Sequence, residues 1–136
     1  MRANYYQIND WVHYVVPRQI SEIHKDCVVL DDSTNTTPFE LLKPVPITAQ
    51  ALRDNGFEYQ PQQAVDGRLE EEYYYIPDTD ITIRDRWHGW MFDGIDNTAF
   101  YPLHIELSND TLMLQQALRR CGFEDIADNW SRCGPS

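Results

Sequence analysis

The chain has 136 residues and a mass of 16.0 kDa, with 22 acidic against 11 basic residues and a formal net charge of −11. That balance argues against non-specific nucleic-acid binding and against anionic membrane surfaces, because both need Lys and Arg to displace counterions from phosphates. A content of 42% hydrophobic and 12% aromatic residues is ample for the core of one compact domain or two small subdomains.

Residues 5–47 read as short strands. Trp11 to Val16 is rich in β-branched and aromatic residues, Pro17 interrupts it, and Ile20 to Ile23 and Cys27 to Leu30 follow with polar turns between. Asp31 to Asn35 is a loop by composition, Phe39 to Leu42 resumes apolar spacing, and Pro44 and Pro46 exclude a central strand. Four or five short strands in so little chain suggest a small SH3-like β-barrel over residues 1–47, closed because a short sheet has exposed edges to manage.

Thr48 is the natural N-cap of a two-turn helix from Ala49 to Asn55. Gly56 takes the left-handed position after it, so that Leu52 and Phe57 make the hydrophobic contact of a Schellman cap. Residues 58–107 read as an antiparallel β-meander, with Asp66-Gly67 and Pro77-Asp78-Thr79-Asp80 as turns and Tyr73-Tyr74-Tyr75-Ile76 as a strand. Ile81, Ile83 and Asp85 share one face of the next strand. Trp90-Met91-Phe92 is an apolar run closed by Asp93-Gly94, and Phe100 to Leu107 supplies the last strand.

A second helix opens near Ser108-Asn109-Asp110, buries Leu112, Leu114, Ala117, Leu118 and Cys121, and ends with Arg119 and Arg120 against its C-terminal dipole. Its end, Ala117-Leu118-Arg119-Arg120-Cys121-Gly122-Phe123-Glu124, nearly copies Ala51 to Glu58, so Gly122, Leu118 and Phe123 repeat the first cap. Ile126 and Trp130 anchor a final short segment, and residues 131–136 form a tail. The reading is thus an α+β protein: a β unit over 1–47 and a helix, meander and helix over 48–130, packed as one structural unit.

Chemistry-bearing patterns are sparse. His13, His24, His88 and His104 show no metal-ligand or catalytic spacing, and no Gly-rich phosphate loop or nucleophile motif occurs. Cys27, Cys121 and Cys133 form neither a disulfide framework nor a Cys-x-x-Cys pair, so no metal and no cofactor is expected. No run of about 18 apolar residues and no signal-peptide pattern is present, which gives a cytoplasmic location as the expectation. Residues 1–60 hold 8 acids and 5 bases whereas residues 61–136 hold 14 and 6, so the second half carries the field. Trp87, His88 and Trp90 at a hairpin tip, Tyr74, and the run Glu70-Glu71-Glu72 are the candidate binding residues, since aromatics beside acids suit a basic protein partner.

Pro44-Val45-Pro46-Ile47-Thr48, leading into a helix that ends Asn55-Gly56-Phe57, resembles short uncharacterised proteins of gut bacteria and of their phages and mobile elements. In those a Pro-Ile-Pro-Leu-Thr-Glu-Glu segment precedes a helix ending in Gly-Phe; here Ala49-Gln50 replaces the two acids. The shared motif is capping and packing chemistry, so the resemblance implies fold and an accessory role, with no activity attached. Three functions remain in view: a non-enzymatic module that binds another protein, a nucleic-acid mimic with Glu70 to Glu72, Asp78, Asp80 and Asp85 in one stripe, and a small enzyme using His88 or His104 with a carboxylate. A homodimer through an unpaired strand edge is compatible with each.

Overall fold

Residues 5–86 and 89–131 are described by a computed structural model of α+β class. The first sheet is an antiparallel meander, β1 (Trp11–Tyr14), β2 (Val16–Ile23), β3 (Cys27–Leu30) and β4 (Thr36–Pro38), paired in chain order. It does not close into a barrel. Strand β4 is only three residues long and gives way to a 3-10 turn at Phe39–Leu41, after which Lys43 alone returns to β1, through one bridge to His13. Closure would need a longer fifth strand, which Pro44 and Pro46 preclude.

The break expected at Pro17 lies two residues earlier. Val15 alone turns the chain between β1 and β2, at φ 67°, and β2 runs through Pro17. Proline is tolerated there because β3 pairs with β2 only from Ile20 onward, so the missing N–H interrupts no ladder on that side.

Helix α1 (Ala49–Asp54) begins and ends as its sequence dictates. The Thr48 hydroxyl accepts from Ala51 N–H, the Phe57 and Gly56 N–H groups donate to the Leu52 and Arg53 carbonyls, and Leu52 and Phe57 are buried. The second sheet follows: β5 (Glu58–Gln60), an inserted hairpin of β6 (Gln63–Val65) and β7 (Arg68–Glu70), then β8 (Tyr73–Tyr75), β9 (Thr82–Arg86), β10 (Gly89–Ile95) and β11 (Pro102–Glu106). Its order is β11-β10-β9-β8-β5, antiparallel throughout. Asp66 and Gly67 both take positive φ at the hairpin turn, the geometry an Asp-Gly pair favours.

Asp93-Gly94 does not end a strand, because β10 continues to Ile95. A side chain at Gly94 would meet Cys121 Sγ at 2.8 Å and Ile81 Cδ1 at 2.9 Å, so this glycine serves close packing rather than a turn. Conversely, Phe100 and Tyr101 lie outside β11, in the loop that precedes it.

Helix α2 (Thr111–Arg120) joins the two halves. Leu112 packs with Val12, Ile20, Val28, Leu30 and Phe39 of the first sheet, whereas Leu114, Ala117 and Leu118 pack with Ile83, Trp90, Phe92 and Leu103 of the second. Each fully buried leucine contributes about 1.5–3 kcal/mol, so one helix holds both cores together. Gln115, fully buried, adds polar specificity: its Oε1 accepts from Trp11 N–H, and its Nε2 donates to the Asn9 and Ala127 carbonyls. Without these bonds the buried Gln115 amide itself would be left unpaired. Helix α3 (Glu124–Asp128) follows the second Schellman cap and places Trp130 in the core, with the Trp11 indole N–H donating to the Trp130 carbonyl. Among the described residues no helix is long and apolar enough to cross a membrane.

Candidate interaction surface

Of the sequence-derived candidates among the described residues, Glu72, Tyr74 and Trp90 line one groove, although Trp90 is buried rather than exposed. Trp90 is 7% exposed and belongs to the second core, touching Tyr74 edge-on at 5.8 Å between ring centroids, so it is not the exposed anchor that its hairpin position suggested. The reason is register: Trp90 sits opposite Asp85 and shares with Phe92 the face covered by the helices. Tyr74 is half-buried between Trp90 and Tyr59, with the Arg53 guanidinium 6.0 Å from both tyrosine rings. Trp87 and His88 lie outside the described residues. Glu70, Glu71 and Glu72 are exposed, but Glu71 pairs with Arg86 at 3.0 Å and Glu72 accepts from the Tyr59 hydroxyl. That groove is polar-rimmed, measures about 490 Å3, and is shared with Asp85, Arg86 and Asn109.

The acids fall into separate groups. Glu71, Glu72 and Asp85 lie near the Arg86 end of β9, whereas Asp78 and Asp80 belong to the turn that precedes its other end. On the open face of the second sheet, His104 Nδ1 stands 2.6 Å from Asp93 Oδ1, whose other oxygen faces Arg84 at 3.6 Å. His104 is two-thirds exposed and sits directly opposite Asp93 in the β10–β11 register. Among the described residues no group of three or more His, Cys, Asp or Glu side chains is placed to hold a metal ion.

A different surface stands out, at the loop over residues 96–101. Asp96 organises it: one carboxylate oxygen accepts from the Thr98 and Ala99 N–H groups, both at 2.8 Å. Those two bonds, aided by Arg120 at 3.4 Å, hold its carboxyl below the usual aspartate range. The Asp96 N–H donates to the Tyr101 carbonyl, the Phe100 N–H donates back to the Asp96 carbonyl, and the Asn97 N–H donates to the last carbonyl of α2, that of Arg120. The Asn97 side chain also lies against Gly122, where an added Cβ would approach within 2.8 Å.

This tightly bonded frame displays apolar side chains to water. Phe100 is 79% exposed, Tyr101 50% and Ile95 40%. Phe100 moreover takes φ 58°, the left-handed region that costs a bulky L-residue roughly 1–2 kcal/mol. Beside it opens a cleft of about 250 Å3, with Ile81, Ile95 and Phe123 along its apolar walls and Asp78 and Asp80 contributed by the neighbouring turn. That turn is itself fixed: the Thr79 hydroxyl donates to the Ile76 carbonyl at 2.7 Å and accepts from the Ile81 N–H at 3.1 Å.

Phe100 and Tyr101 are absent from the sequence-derived candidates because they read as the start of a strand. The available signal was local: Asp96-Asn97-Thr98 is Asx-turn composition immediately upstream of two aromatics. No known protein-family model, curated protein or solved structure matches the chain.

Proposed function

We propose that the chain is a non-enzymatic accessory protein that binds another protein, of the phage- or mobile-element-encoded kind suggested by the Pro44 to Phe57 motif. The observation that carries this reading is Phe100, an aromatic ring held out of the core in a costly backbone conformation by a loop fixed through five hydrogen bonds. With most of its ring in water, Phe100 gives the fold little burial, and exposed aromatics are the anchors of protein interfaces. The order of residues 11–43, four antiparallel strands, a 3-10 turn and a return to β1 at Lys43, supports an SH3-like relationship for that half. A cytoplasmic location accords with unpaired Cys27 and Cys121.

The nucleic-acid mimic is less well supported, because the acids it needs lie at opposite ends of β9 and Glu71 is neutralised by Arg86. An enzyme built on His104 and Asp93 has its dyad, but the imidazole is two-thirds exposed to water. Photo-crosslinking in cells tests the binding reading. A benzoylphenylalanine at Tyr101 is expected to trap a discrete protein adduct that the same probe at Leu41, equally exposed on the first half, does not; identical adduct patterns from both positions would overturn it.

A further inference from the structure

Resting on that reading, we infer that the partner presents a linear basic segment, an apolar residue of which packs on Phe100 while a neighbouring Lys or Arg enters the cleft beside it. An aromatic tip next to a cleft of about 250 Å3 is scaled to one or two side chains of an extended segment rather than to a broad globular face. The cleft has apolar walls at Ile81, Ile95 and Phe123 and carboxylates at Asp78 and Asp80, which matches a side chain with a methylene stem and a cationic head.

Charge then selects the sign. Several of the acids in this fold are matched internally: Asp10 and Asp128 by Arg119, Asp96 by Arg120, Asp93 by Arg84 and Asp31 by Arg18. Among the described residues Asp78 and Asp80 pair with no cation, so their charge remains available to a ligand. The net charge of −11, concentrated in the second half, steers cationic segments toward this region and repels acidic ones. Both walls are preorganised by their own hydrogen bonds, the 96–101 loop through Asp96 and the turn through Thr79, so docking orders little of this chain.

A library of random 12-residue peptides displayed on phage, panned on the full chain, supplies the probe. Enriched peptides should carry an excess of Lys or Arg beside an apolar residue. Measured as synthetic peptides, they should lose at least tenfold in affinity to Phe100→Ala and about three- to tenfold to the Asp78→Asn/Asp80→Asn double variant, and weaken as salt rises. Thermal melts matching wild type confirm that each variant is folded. Peptides that need Phe100 but are neutral or acidic, or bind the double Asn variant unchanged, would overturn the basic-partner inference and leave the binding module standing. A panel whose binding ignores Phe100, or no enrichment at all, would overturn the inference and the docking surface together.

Discussion

Three side chains in this molecule sit where their chemistry is costly, and the reasons differ. Val15 and Phe100 both hold positive φ with their side chains in water, yet Val15 closes the tightest turn of the fold whereas Phe100 closes nothing that a smaller residue could not. Asp110 caps α2 through the Leu112 N–H from a nearly dry position. Burial pushes its carboxyl up to about 6, reinforced by the charge of Asp10 and opposed by the Leu112 N–H and the Tyr5 hydroxyl. Because the folded value is raised, its favourable contribution is complete below about pH 3.8 and is lost as pH rises through 6. Asp110→Asn keeps the capping acceptor and removes the charge. It should raise the melting temperature by about 3–6 °C at pH 7.5, through roughly 1–2 kcal/mol, and change it little at pH 3.5. A melt that shows the same shift at both pH values would place the effect elsewhere.

At the scale of elements, the two Schellman caps offer a matched comparison. Gly56 and Gly122 share left-handed φ values of 96° and 88° and the same hydrogen bonds, but an added Cβ at Gly56 meets nothing within 4 Å whereas at Gly122 it runs into Asn97. Gly56→Ala should cost about 1 kcal/mol of backbone strain, and Gly122→Ala roughly 2–3 kcal/mol, with equilibrium urea unfolding as the measurement. Equal losses would mean that Asn97 yields freely and that the 96–101 loop is not anchored on α2. The caps, the Thr48 N-cap and the Asp66-Gly67 turn were legible in the sequence because their causes lie within a few residues. Pro17, Gly94 and Phe100 were misread for the opposite reason. Each depends on what lies across the fold: a partner strand that starts only at Ile20, the Cys121 thiol behind Gly94, and the Asp96 frame that bends the chain out of β11.

Across the whole molecule, the α+β class and the antiparallel second half followed from strand and turn composition, but the division of labour did not. That α2 serves two cores, with Leu112 in one and Leu114 and Leu118 in the other, is invisible to a helical pattern that records only a broad apolar face. The candidate surface was displaced for a related reason. Tryptophan draws attention by size, yet Trp90 faces the covered side of the sheet, while the most exposed large hydrophobic side chain among the described residues is the less conspicuous Phe100. A binding role requires that Phe100 be held for something outside the chain. Urea unfolding of Phe100→Gly tests it without knowledge of the partner: relief of the left-handed strain should raise stability by about 0.5–1 kcal/mol and move the midpoint upward. A midpoint that falls would show that the ring supports the fold itself, and would contradict the account.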